Sequence, residues 1–201
     1  MRVCSAAEFM LATAMVLGSI AALSGCGGAP SAPQTPSDRS AYPPGPYDTG
    51  EGDVLGPLSF VAVDGGPFDV DTAVFADPQA RVLLMNTAAG WCGACVEEQP
   101  VLQALVQDRP ALSVVVALFE DADGAPADAA LARDWQARHA VAFDVVADPS
   151  FQLQAFYDPS LTPMNMVVDV DTMTIRRIGT GFDELAVTAI IDAILAEKGL
   201  R

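Results

Sequence analysis

The residues most able to do chemistry stand together in Trp91-Cys92-Gly93-Ala94-Cys95. Two cysteines three positions apart on a first helical turn can reach disulfide geometry. A helix start also leaves backbone N–H groups unpaired, and these stabilise a thiolate. In such pairs the first thiol's pKa falls to ~3.5–7.5, against about 8.5 for a free cysteine. Cys92 is therefore expected to attack a partner disulfide as the exposed nucleophile, and Cys95 to resolve the mixed disulfide from a shielded position. The competing readings are a buried structural disulfide and a soft-metal site. Cys4 and Cys26 do not form the second close pair that a zinc ribbon needs. Met164 and Met166 could offer soft ligands for Cu(I), or they could be core packing. His139 is the only histidine, and on a predicted helix it reads as a solvated or capping group. Asp121, Asp123 and Gly124 lack the other ligands of a calcium loop.

Several elements must position this pair. Residues 58–64 read as a strand, and residues 81–86 (RVLLMN) as a short buried strand followed by a small-residue loop. A helix is expected over 92–107, a buried strand over 111–119, a loop over 120–128 and a helix over 130–140. Then come a strand at 141–148, a short helix at 149–157, and two strands at 164–170 and 174–180 around a turn at Asp171-Thr172. An amphipathic helix closes the chain at 183–197, with Leu185, Ile190, Ile191, Ile194 and Leu195 as its apolar face. Strands alternating with helices predict an α/β fold on a central mixed sheet flanked by helices, and the final hairpin makes part of that sheet antiparallel.

Over roughly residues 53–199 the sequence resembles thioredoxin-fold proteins of the TlpA/ResA type, the membrane-tethered thiol–disulfide oxidoreductases of bacterial envelopes. Trp91 precedes the first cysteine, as in that family. Asn86 lies six residues before Cys92, Glu98 three after Cys95, and Pro100 five after Cys95. Thr162-Pro163 precedes the strand MNMVVDV, where the family has a cis-proline opposite the disulfide. The resemblance implies the thioredoxin fold and protein thiol–disulfide exchange. It implies catalytic roles for Cys92, Cys95 and Glu98, with Glu98 tuning the cysteine pKa values. Trp91 and Asn86 would support the site, and Thr162 and Pro163 would bind substrate backbone by β-strand addition. It also implies a redox-active disulfide and no other cofactor or metal. The partners would be extracytoplasmic protein thiols and disulfides, apocytochrome c thiols among them, together with an electron-donor or -acceptor protein. Two departures stand out. Ala88 replaces a common aromatic, and Gly93-Ala94 replaces a proline-containing pair, so no redox potential carries over. The alternative on the same fold is a copper-binding or metal-delivery module.

The N-terminus reads as an address. Residues 9–23 are uncharged and apolar, shorter than the ~20 residues of a spanning helix. Preceded by Arg2, they have the layout of a secretory signal, although Glu8 is unusual there. Leu23-Ser24-Gly25-Cys26 resembles the lipobox of bacterial lipoproteins, which makes Cys26 the lipidated residue. The expected organisation is a signal peptide over 1–25, a tether over 26–52 and one domain over 53–201. Residues 27–57 hold seven of the chain's 15 prolines, and residues 27–53 as a coil would span about 28 Å. The chain has 201 residues, with 26 acidic against 10 basic and a net charge of −16. That balance argues against a nucleic-acid partner, which needs basic patches. A monomer facing the periplasm is expected, with the outer membrane favoured by Gly27 after the lipidated cysteine.

Overall fold

The structure, a computed structural model, describes Arg39 and residues 41–200. The expected signal peptide over 1–25 and the expected lipidation at Cys26 concern positions outside the described residues. Seven strands form one sheet: β1 (Ser59–Val61), β2 (Pro67–Asp69), β3 (Val82–Ala89), β4 (Leu112–Glu120), β5 (Asp144–Ala147), β6 (Met164–Asp169) and β7 (Thr174–Thr180). Their order is β2-β1-β5-β4-β3-β6-β7. β3, β4 and β5 run parallel, and every other neighbouring pair is antiparallel. Three helices complete the frame: α1 (Gly93–Asp108), α2 (Ala129–His139) and α3 (Glu184–Glu197). The mixed sheet flanked by helices is the one expected from the sequence.

All eight residues of β3 are buried, as parallel strands covered on both faces must be. Val82 and Leu84 face the three helices, packing with Leu102 of α1, Trp135 of α2 and Ile191 of α3. Leu83 and Met85 face the other way, toward Val74, Phe75 and Leu153. That second face is covered by a π-helical turn at Asp71–Phe75 and a 3-10 turn at Gln152–Phe156. The hairpin partner β2 and the π-helical turn were not anticipated. β3 also continues through Thr87, Ala88 and Ala89, where a loop was expected, because β4 keeps pairing with it.

Helix α3 corrects one expectation. Leu185 is 86% exposed. Asp183 caps the helix by accepting from the Ala186 N–H at 3.1 Å, and that start sets the phase. Val187, Ile191, Ile194 and Leu195 then share the inward stripe. Leu185, two residues before Val187, falls on the opposite side.

The expected tether also differs in its second half, where residues from Arg39 onward are packed on the domain. Arg39 donates to the carbonyls of Phe75 at 3.0 Å and Ala80 at 2.8 Å. The Tyr42 hydroxyl donates to Leu55 O at 2.9 Å, and its ring lies 5.1 Å from that of Phe75. Further along, the Gly52 N–H donates to Ile175 O, the Ile175 N–H to Asp53 O and the Ile178 N–H to Glu51 Oε1. The arm thereby covers the otherwise open edge of β7, where unpaired strand groups invite association. The packed region thus begins before residue 53, and the composition misled because Pro and Gly are as suited to a docked arm as to a free one.

Among the described residues no helix is long and apolar enough to cross a membrane. An Arg39→Ala variant is expected to lose about 1–3 kcal/mol, since it strips a charged donor from two carbonyls. Urea unfolding would show this as a lower midpoint at unchanged slope.

Candidate active site

The dithiol sits where β3 hands over to α1. Gly90 makes the junction: its N–H donates to Glu120 O at 2.8 Å. A Cβ there would lie 2.6 Å from the Ala122 backbone nitrogen, so only glycine allows this approach. The turn throws Trp91 outward, 49% exposed, as expected of a surface aromatic. Its indole N–H donates to Glu120 Oε2 at 2.8 Å, and its ring meets Phe119 edge-on.

Cys92 is the capping residue of α1, and its sulfur accepts from the Cys95 N–H at 3.1 Å. That contact is the helix-start donation expected to favour a thiolate. The two sulfurs are joined, with the Cα atoms 5.3 Å apart. Cys95 is fully buried, and its sulfur lies 3.8 Å from Thr87 O. Cys92 is the more accessible of the two but only 5% exposed, so in this oxidised form it is not openly exposed. Gln99 steadies the helix behind the pair. Its Nε2 donates to Cys95 O at 2.7 Å, and its Oε1 accepts from the indole of buried Trp135 at 3.1 Å. Pro100 lies inside α1 and removes the N–H that would have served Val96 O.

Glu98, one turn beyond Cys95, is 6% exposed. Its Oε2 accepts from Asn86 Nδ2 at 2.8 Å and from Asn165 Nδ2 at 3.4 Å. Asn86 Nδ2 also donates to Asn165 Oδ1 at 2.9 Å. With both amide hydrogens used, Asn86 Oδ1 stays buried without a partner. Desolvation pushes the Glu98 carboxyl up to about 7, and the two amide donors only partly offset it. Glu98 and Asn86, each singled out from the sequence, are thus brought into direct contact. Asn165 was missed, although an asparagine inside an apolar strand is a readable signal of a buried polar contact.

The Thr162-Pro163 bond is cis. β6 pairs Asn165 with Asn86, and continuing that register sets Pro163 beside Ala88, next to the dithiol. A hydroxyl chain ties the loop down. Thr87 Oγ1 accepts from the Met164 N–H at 2.8 Å and donates to the Tyr157 hydroxyl at 3.1 Å. That hydroxyl lies 2.9 Å from Thr162 Oγ1. Neither Thr87 nor Tyr157 was singled out from the sequence. The Thr162 N–H turns back to Pro159 O at 3.3 Å, and its carbonyl takes no backbone hydrogen bond among the described residues.

The soft-metal ligands do not assemble. Met164 and Met166 are fully buried on the sheet face away from the helices. His139 ends α2 at the far end of the domain, 4.7 Å from the Trp135 ring. Among the described residues no group of three His, Cys, Asp or Glu side chains could hold a metal ion.

No family model and no curated protein matches the chain. Solved structures do. A thioredoxin-like protein of Aeropyrum pernix is 17% identical, covering 68% of this chain and 89% of its own, with a TM-score of 0.56. A thiol-disulfide oxidoreductase of Bacteroides fragilis is 17% identical over 70% of this chain and 98% of its own, at 0.54. A secreted Mycobacterium tuberculosis disulfide oxidoreductase, described as homologous to Escherichia coli DsbE, is 16% identical over 68% and 95%, at 0.51. These likenesses show that the chain has the thioredoxin fold.

Glu98 makes stability depend on pH. Its carboxyl titrates near the ordinary 4.5 when unfolded and near 7 when folded. The folded state thus holds its proton more tightly. The associated stability is complete below about pH 4.5 and is lost as pH rises through 7, by about 3 kcal/mol. A Glu98→Gln variant should lack this loss, which urea midpoints at pH 5 and pH 8 would reveal for both proteins.

Proposed function

We propose that the protein is a thiol–disulfide oxidoreductase acting on other proteins outside the cytoplasm. The observation that carries this reading is the Cys92–Cys95 disulfide at the start of α1, beside the cis Thr162-Pro163 bond, on a thioredoxin fold. The names of the solved neighbours from Bacteroides fragilis and Mycobacterium tuberculosis support the activity, and the secreted nature of the latter supports the setting.

In the reducing direction the Cys92 thiolate attacks a sulfur of a partner disulfide. One Cys92–partner bond forms, and the partner's other sulfur leaves as a thiolate. Cys95 then gives up its proton, attacks Cys92 Sγ and releases the second partner thiolate. Two electrons pass to the partner, and the Cys92–Cys95 disulfide is formed. The reverse sequence oxidises a partner dithiol. Glu98, at i+3 from Cys95 and so on the same side of α1, takes or supplies the resolving proton. A carboxyl near 7 is suited to that exchange at neutral pH. Asn86 and Asn165 hold it, while Trp91, Thr162 and Pro163 face the substrate chain.

In this reading Cys26 carries a lipid that holds a monomeric domain at the envelope, facing the periplasm, with the outer membrane favoured. Partner thiols include those of apocytochromes c, and a second protein supplies or removes the electrons.

Cys95→Ser is expected to leave Cys92 able to attack but unable to be released. Envelope proteins should accumulate as mixed disulfides that dissolve on reduction, while Cys92→Ser traps none. Absence of trapped species from both variants, with no exchange against oxidised glutathione by the wild type, would sink the proposal.

A further inference from the structure

Gln99 is fully buried, on a helix whose neighbouring buried residues, Leu102 and Leu105, pack with Ala132 and Trp135 of α2. An amide in an apolar layer is unfavourable unless its donor and its acceptor are both met. Both are met here. Nε2 donates to Cys95 O at 2.7 Å, and Oε1 accepts from Trp135 Nε1 at 3.1 Å. Trp135 is itself fully buried, with its ring against that of His139, so its N–H is a fixed point on α2. An apolar side chain of similar volume would fill the same space without these bonds. The amide thus supplies direction as well as volume: one chain of hydrogen bonds runs from α2 to the carbonyl of Cys95.

That chain ends at the weak point of α1. Pro100 has no N–H to give Val96 O, so the helix ladder is interrupted just after the turn that carries both cysteines. The Gln99 side chain reaches back across the interruption. Further along, Gln103 Oε1 accepts from the Ala142 N–H at 2.7 Å. This second tie joins the middle of α1 to the segment after α2 and does not reach the first turn. Cys95 has few other holds. A single carbon carries its sulfur, so its backbone decides where the sulfur lies. The sulfur is 3.8 Å from Thr87 O, a weak contact. In the oxidised form the bond to Cys92 fixes it as well. Once Cys92 is bonded to a partner instead, that hold is gone and the Gln99 contact remains.

We propose that Gln99, anchored by Trp135, is a positioning residue for the resolving step, acting on Cys95 while Cys92 is bonded to the partner. The proposal rests on the exchange reading given above. In that interval Cys95 loses its proton and brings its sulfur into line with the Cys92–partner bond. The Cys92–Cys95 bond forms, the Cys92–partner bond breaks, and the partner sulfur leaves as a thiolate. Such a step is fast when the reacting atoms are held about 3–3.5 Å apart and aligned. A first turn free to shift does not hold them so. Attack by Cys92 comes earlier and needs none of this, since Cys92 caps α1 three residues before Cys95. Gln99 therefore sets how long the mixed disulfide lasts, and leaves the rate of its formation to Cys92.

The test uses the reduced full chain, with Cys4→Ser and Cys26→Ser throughout so that only the dithiol reacts, and dithiobis(nitrobenzoate) as the disulfide. Cys92 attacks the reagent and frees one thionitrobenzoate at a rate proportional to reagent concentration. Cys95 then frees the second at a rate independent of it, and two electrons have passed to the reagent. Gln99→Leu should leave the first rate within about twofold and slow the second on the order of tenfold, with Trp135→Phe between it and the wild type. The double variant Gln99→Leu/Trp135→Phe separates holding from stability, because it removes both polar partners and leaves neither unpaired. Its urea midpoint should return toward that of the wild type while its second release stays slow. Gln103→Leu should keep both rates. Recovery of the second rate together with stability in the double variant would overturn the proposal. So would equal slowing of both releases by Gln99→Leu, or the same slowing of the second release by Gln103→Leu. No second release from protein with unaltered Gln99 and Trp135, whose two thiols titrate as reduced, would overturn the exchange reading itself.

Discussion

The antiparallel register of β6 on β3 is the constraint on which the site depends. It pairs Asn86 with Asn165 and Leu84 with Val167. From it follow the meeting of both amides with Glu98 and the delivery of Pro163 to the end of β3. Strand side chains alternate, so a one-residue slip would turn every side chain of the slipped strand to the opposite face. A slipped β6 would turn Asn165 toward the apolar layer of Phe75 and Leu153 and Met166 toward the helices, while Asn86 and Met85 kept their faces. The register is protected because both faces of β3 are buried and fully apolar apart from Asn86 and Thr87. Those two polar residues each carry a contact across to the loop before the cis bond or to α1.

The polar residues of β3 divide the work by face. On the helix side Asn86 reaches Glu98 and Asn165, which gives a buried carboxyl one turn from Cys95. On the other side Thr87 reaches Met164 N and Tyr157, which fixes the loop before the cis bond. One strand thus holds both the buried carboxyl and the loop before the cis bond, and Thr87 O lies 3.8 Å from the Cys95 sulfur. The cost is visible in the unpartnered Asn86 Oδ1. A buried acceptor without a donor is tolerated where the remaining hydrogen bonds hold a group that must be kept in place.

Much of the sequence was legible because the signals were local. The buried strand before Trp91, the cysteine spacing, Glu98 and Thr162-Pro163 are all read from neighbours along the chain. Asn165 was not singled out, since its role exists only once β6 is laid on β3. Tyr157 and Thr87 depend on the same long-range pairing. Leu185 misled because its polarity matched the apolar stripe, whereas helix phase is set by the Asp183 cap. Arg39 and Tyr42 lie in a stretch whose composition says linker. Their docking depends on carbonyls left free at Phe75 and Ala80, which no pattern in the arm itself reveals.

The charge of the active-site end has two separable origins. α1, α2 and α3 all begin there, so three positive helix ends point the same way. Asp128 and Asp183 answer two of them directly by capping α2 and α3. The start of α1 is capped by Cys92 instead, so its positive end remains for sulfur. Glu97, Glu98 and Glu184 cap nothing, and Glu98 is held from water against its own solvation. An ionised Glu98 opposes a neighbouring thiolate while the α1 start favours one. Burial raises the Glu98 carboxyl to about 7, and the two asparagines, donating to Oε2, pull it part of the way back.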